Sequence, residues 1–289
     1  MTKKTLKAML IAAVTSTILV TAAGPAAAGT VLPDPEKYVS TPTAWGWFLS
    51  ASKATIDNWA NTNNMRVVDV EVDSPTTFNV TLVQNSGVYA RGLTGSASWT
   101  TGETAATLSA KLMGKRLLDV ERYLDNGQVR YAAALVDNPA GGNFHDYKYL
   151  FNGTSAQING WLAANRGRLT DIDYVSPDHY DAVLVPNTGV DERSWVWYPD
   201  ATTQTVNDEI DLHLDSRMVA ISPIATSHFA MIFVRNDPQV GVWNWHPSLS
   251  ASQLISVQSG DNYRVLQAER YWSAGSNEWR YAAVFIEND

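Results

Sequence analysis

The residues able to do chemistry are few, and their spacing rarely suits it. Ser50-Ala51-Ser52-Lys53 spells S-x-x-K, the arrangement in which a lysine activates a serine for acyl transfer. No S-D-N or K-T-G element accompanies it, so the match reads as coincidence and no catalytic residue is assigned. The five His, at 145, 179, 213, 228 and 246, lack the paired spacing of a transition-metal site. No D-x-D-x-D-G loop suggests calcium, so neither a metal nor a cofactor is expected. His179 and His228 each precede a strand aromatic, where Arg130 and Arg280 stand elsewhere, and a polar strand-edge role fits both. Asn79 and Asn152 open glycosylation sequons, but Asn79 falls inside an apolar strand.

Acids recur at Asp69, Glu71, Asp119, Glu121, Asp171, Asp173 and Glu269. They suit either a carboxylate-lined surface for a cation or basic peptide, or a structural pairing with an arginine of the next repeat. The second reading is preferred, because an acid at a fixed point of successive repeats serves folding.

Those repeats are the elements that must position everything else. Arg66, Arg116, Arg168, Arg217 and Arg264 lie 50, 52, 49 and 47 residues apart, and Asn85, Asn138, Asn187, Asn236 and Asn288 follow the same period. A period near fifty signals an array or propeller. The units run about 44–92, 93–142, 143–190, 191–239 and 240–289. Each opens on an aromatic: Trp47, Trp99, Tyr149, Trp197 or Trp245. Five residues later comes a hydroxyl suited to cap a helix: Ser52, Thr104, Thr154, Thr202 or Ser250, with Gln157 and Gln253 supplying the reciprocal half of a capping box. An aliphatic follows four on, at Ile56, Leu108, Ile158, Val206 and Leu254, and a second one turn later. Gly114, Gly167 and Gly260 stand where three of the helices must stop. The Arg then opens a strand of alternating character, and beyond a turn comes a strand apolar on both faces, as from Tyr131 to Val136. The fold class is therefore mainly β with short helices: five tandem β-α-β-β repeats in a propeller-like ring, or alternatively an open arc. The ring is preferred because the outer units show no polar cap. The repeat arginines are expected to be covered and hydrogen-bonded as structural clamps, and the five regular aromatics to serve packing.

Residues 1–28 place Lys3, Lys4 and Lys7 before an apolar run ending in small residues, which reads as a signal peptide cleaved near Ala28. The protein is thus expected to be secreted, extracellular or periplasmic if the cell has an outer membrane, with no membrane span after cleavage. Residues 29–43, with three Pro, read as a lead-in or tether, and no further domain is expected after the fifth unit. The formal charge is −8; without the leader, 18 Lys and Arg face 29 acids, about −11. That balance argues against nucleic acid and anionic membrane as partners. With no Cys, burial alone must hold the fold, and 45% apolar residues with 11 Trp and 12 Tyr suffice for that.

The units, with their aromatic start, R-L-hydrophobic-D-V-E-x-Y and R-Y-A-A-hydrophobic-hydrophobic-V-x-N, resemble a bacterial tandem repeat family. Its repeats occur in the N-terminal region of polyglycine hydrolases and in the dispase autolysis-inducing protein. The second and fifth units match best, and the fourth departs, with Ala220 and Ser222 where acids are expected. The resemblance covers residues 44–289 and implies a ring or arc of blades, not a reaction.

A secreted, non-enzymatic repeat protein presenting a surface to an extracellular protein, peptide or glycan is the expected function. The alternatives are a regulator of secreted proteases, suggested by the resemblance, and a hydrolase. Recognition should use aromatics that the repeat does not require: Trp59, Trp161, Trp272 and Trp279, above all the pair flanking the last turn.

Overall fold

The computed structural model describes Lys37 and residues 41–138, 147–188, 192–212, 215–235, 242–260 and 263–288; the leader expected over residues 1–28, Asn236, His145 and His213 lie outside them. The five units fold alike. The first comprises β1 (Trp45–Ser52), α1 (Lys53–Thr62), β2 (Met65–Ser74) and β3 (Thr77–Gln84); the second, β4 (Trp99–Glu103), α2 (Ala105–Lys111), β5 (Lys115–Asp125) and β6 (Gln128–Asp137). The third has β7 (Lys148–Thr154), α3 (Ser155–Asn165), β8 (Gly167–Ser176) and β9 (His179–Pro186); the fourth, β10 (Trp195–Thr202), α4 (Thr203–Leu212), β11 (Ser216–Ala225) and β12 (His228–Arg235). The fifth has β13 (Trp243–Leu249), α5 (Ala251–Gly260), β14 (Tyr263–Ser273) and β15 (Glu278–Glu287). Each unit is one antiparallel three-stranded sheet ordered first, third, second. The doubly apolar third strand therefore lies in the middle, where both of its faces are covered.

All five hydroxyls cap their helices. The backbone N–H groups of Thr55, Thr107, Gln157, Thr205 and Gln253 donate to Ser52, Thr104, Thr154, Thr202 and Ser250 at 3.1–3.2 Å. Gln157 and Gln253 return the bond to the cap N–H, and Thr107 completes a third box that the sequence pattern did not single out. The aliphatics four residues on are fully buried. The expected helix stops fare less well. Gly114 does adopt the left-handed conformation at φ 68°, but in α3 the preceding Arg166 takes it, and Gly260 is still helical. Gly167 is required for space instead: a Cβ there would lie 2.4 Å from the Trp161 ring.

Packing occurs between units. Among the described residues five apolar clusters form, and each draws on two neighbouring units. At three of these seams the third-strand aromatic meets the opening aromatic of the next unit edge to face: Phe78 with Trp99, Tyr180 with Trp197, and Phe229 with Trp245, at centroid distances of 5.4–5.9 Å. The fifth cluster is built on Leu254, Val265, Tyr281 and Phe285 of the last unit, and Trp45, Trp47 and Leu49 of the first unit pack against it. The second strands also touch in succession, β2 to β5, β8, β11 and β14, and β14 touches β2. Asn187 holds the next unit by accepting from Arg193 N at 2.8 Å and donating to Arg193 O at 2.7 Å. Asn288 makes the same two bonds with Thr43, at 3.1 and 3.0 Å. Arg193 and Thr43 each stand two residues before a first strand, so the last unit holds the first as the third holds the fourth.

The five repeat arginines are at most 2% exposed. Arg66 Nε donates to Tyr89 O at 3.0 Å, the Tyr89 ring lies 5.7 Å from the Arg264 guanidinium carbon, and the Tyr89 hydroxyl donates to Thr41 O. Replacing Arg66 by Ala leaves that buried carbonyl without its donor and opens a cavity, at a cost of about 2–4 kcal/mol. Thermal unfolding of Arg66→Ala should therefore begin several degrees lower than in the parent, whereas an unchanged melting temperature would remove the clamp role.

Candidate functional site

The densest chemistry lies where the second strands converge. Each of these strands shifts register against its third strand just before the first acid position: Val67/Asp69, Leu117/Asp119, Leu169/Asp171, Met218/Ala220 and Val265/Gln267. A bulge of this kind re-aims the side chains that follow it. Asp69, Glu71, Asp119, Asp171, Asp173 and Glu269 are buried and Glu121 is half-buried.

These acids accept backbone N–H groups of the preceding unit, a role that the expected carboxylate–guanidinium pairing did not include. Val70 N donates to Asp119 Oδ2 at 2.8 Å and Val120 N to Asp171 Oδ2 at 3.2 Å, while Ala268 and Arg270 of the fifth unit donate backbone bonds to Asp69 and Glu71 of the first. Neutral substitutes keep the pattern, with Ile221 N on Gln267 Oε1 and Tyr174 N on Ser222 Oγ, both at 2.8 Å. Ala220 drops one such bond. Pro223 has no N–H to give Glu269, which accepts from Gln267 Nε2 at 3.0 Å.

So many carboxyls in one dry space cannot all ionise. Burial, reinforced by the neighbouring acids, pushes Asp69 up to about 8 and holds Asp119, Glu121, Asp173 and Glu269 well above the usual carboxylate range. Burial also raises Glu71 to about 6, against the opposing pull of hydrogen bonds and Arg270. Lys37 opposes the rise at Asp171 and lies 3.7 Å from its Oδ1. Arg122 binds Asp181 through two bonds of 2.7 and 2.8 Å, and Arg270 pairs with Asp73 of the first unit. Carboxylate oxygens of Glu71, Glu121 and Glu269 come within 4.8 Å of one another. Glu71 and Glu269 are hydrogen-bonded side chain to side chain, which requires a proton between them, and a hard cation could take the place at the centre of the three. The sequence reading named these three among seven recurring acids and weighed a cation surface, but preferred a structural role and did not separate the trio from the rest.

The S-x-x-K stretch is committed elsewhere. Ser52 caps α1, Lys53 Nζ donates to both Asp57 oxygens and lies 4.6 Å from the Trp99 ring centroid, and Ser50 sits at φ 51° with its N–H on Asn79 Oδ1. That bond also buries the first sequon, since Asn79 is 2% exposed. His228 pairs with Asp200 at 2.8 Å and His179 Nδ1 contacts Pro177 O, while His246 lies against Phe285, where burial lowers its pKa. A cleft of about 290 Å³ lined by Trp195, Glu209, Asp215, Phe233 and Arg235 flanks the fourth unit.

The four irregular tryptophans separate into two pairs. Trp59 is half-buried, edge to face with Phe48 at 5.4 Å, and fills the space over Gly46; Trp161 does the same over Gly167. Trp272 and Trp279 are 48% and 49% exposed and face each other across β14 and β15, with ring centroids 5.5 Å apart and the Arg270 guanidinium 4.1 Å from the Trp279 ring. Of the regular aromatics, Trp99 is buried and Trp47, Tyr149, Trp197 and Trp245 are half-buried at the seams. Among the described residues no helix is long and apolar enough to cross a membrane. Comparison with known proteins finds neither a protein-family model nor a curated protein that the chain matches.

Because folding raises the acid pKa values, the stabilisation from their protons is full below the unfolded carboxylate range. It is lost as pH climbs through about 6 for Glu71 and about 8 for Asp69. The melting temperature should fall by several degrees between pH 5 and pH 9. Asp69→Asn keeps an acceptor for Ala268 but cannot ionise, so it should flatten the upper part of that fall. A melting temperature that climbs steadily over the same range would contradict this account.

Proposed function

We propose that this is a secreted, non-enzymatic repeat protein whose five units close into a propeller-like ring and present an exposed aromatic pair to an extracellular glycan, peptide or protein. Closure is supported by the fifth apolar cluster, by the matching Asn187 and Asn288 clasps, and by Arg270 pairing with Asp73. A solenoid needs distinct polar caps at its ends, whereas here the outer units cover each other. Secretion rests on the leader pattern of residues 1–28. The likeness of the units to the bacterial repeat family supports the same architecture.

The observation that carries the binding reading is the Trp272–Trp279 pair. Packing between units accounts for the regular aromatics, and packing within a unit for Trp59 over Gly46 and Trp161 over Gly167, but neither accounts for two half-exposed indoles on the hairpin of the last unit. Indole faces stack on sugar rings and on peptide side chains, and the cross-strand contact together with Arg270 fixes their orientation in advance. Regulation of secreted proteases by such a surface is the second reading, and it rests on the family likeness alone.

Trp272→Ser/Trp279→Ser tests the proposal. Co-sedimentation with insoluble cell-wall polysaccharide, and fluorescence titration with peptides and soluble glycans, should show binding by the parent that drops at least tenfold in the double variant, while the melting temperature changes by no more than a few degrees. Binding that survives the double substitution would move the site elsewhere. A large loss of stability would assign both residues to the fold.

A further inference from the structure

Lys37 belongs to the segment read from sequence as a tether, yet it is buried, at 5% exposure. Its Nζ donates to Thr170 O at 2.5 Å, across 133 residues of sequence, and lies 3.7 Å from Asp171 Oδ1. Thr170 is the residue skipped in the register of β8 against β9, so the bulge that turns Asp171 inward also offers this carbonyl. Asp171 is 1% exposed and its Oδ1 has no hydrogen-bond partner among the described residues. The same ammonium bears on Asp69 and Asp119, two units and one unit back along the chain. First-position acids from three units thus act on one cation supplied from outside the repeats, and Asp171 lies nearest to it.

We propose that the pocket formed by Asp69, Asp119, Asp171 and the Thr170 carbonyl is a binding site for a primary ammonium group, filled in this chain by its own Lys37. An ammonium is a compact charge with three donors, which fits one carbonyl and a cluster of carboxyls. A guanidinium requires a planar fork of acceptors, and Mg2+ or Ca2+ requires six or more oxygens. A buried lysine survives only where its charge is compensated, so this contact fixes Lys37 against β8 of the third unit. A lysine side chain of another molecule would compete for the same place.

Chemical rescue tests the assignment. Lys37→Ala deletes three carbons and the ammonium, and n-propylamine replaces those atoms. The melting temperature of the purified variant at pH 7 should lie several degrees below that of the parent. It should return towards the parent value saturably over millimolar n-propylamine, while tetramethylammonium at the same ionic strength and n-propanol have no such effect. Lys37→Met should be equally destabilised but not rescued, because its own stem fills the channel. If Lys37→Ala does not fold, it is refolded in n-propylamine and in tetramethylammonium; recovery in the amine alone supports the site, and failure in both overturns it. A variant as stable as the parent, or one restored by calcium or by any salt, also overturns the proposal.

Discussion

Buried carboxyls that accept backbone N–H groups from the neighbouring unit are the constraint on which the rest of the structure depends. A three-stranded sheet of this size cannot bury both of its faces, and none of the five apolar clusters belongs to one unit. Second strands must therefore approach closely, and their free amides need acceptors. Asp119 and Asp171 supply them for Val70 and Val120, Gln267 for Ile221, and Ser222 for Tyr174. The cost is a concentration of acids that stays neutral in part by sharing protons and in part through Lys37, Arg270 and Arg122.

The departures of the fourth unit follow from the same constraint. Ala220 and Ser222 reduce the number of carboxyls in a space that already holds seven, and Ser222 still accepts the Tyr174 amide. Pro223 removes the donor that would face Glu269, and the Gln267 amide takes over that bond. The substitutions by which the fourth unit departs from the repeat pattern are consistent with a shared scaffold.

What the sequence made legible was local or periodic. Hydroxyl caps, buried aliphatics one turn later and a doubly apolar strand in the middle of each sheet all follow from spacing within one unit, and Thr104, Ile158 and Tyr131 behave as their positions dictate. Contacts between units were less accessible. The register shift ahead of each acid leaves no mark in the alternation, so the bond from the Val70 amide to Asp119 could not be read from it. Gly167 read as a helix stop because glycine is favoured there, while its actual role depends on Trp161 lying across it. Lys37 was hidden most fully, since a single lysine in a proline-containing lead-in carries no pattern, and its partner is 133 residues away. Of the four candidate tryptophans, only the hairpin pair is half-exposed, a distinction that required knowing which glycines the other two cover.

The central claim is that the fifth unit closes on the first, and a distance measured across that seam tests it most directly. The chain has no Cys, so paired spin labels can be placed without background. Thr76, Gln128 and Ser276 are exposed at or beside the turn between the second and third strands of the first, second and fifth units. Dipolar spectroscopy on a Thr76/Ser276 pair should give one narrow distribution in the range found for Thr76/Gln128, because both pairs then span one seam between neighbours. A Thr76/Ser276 distance several times longer, or a broad distribution beside a narrow Thr76/Gln128 one, would show an open arc and contradict the account.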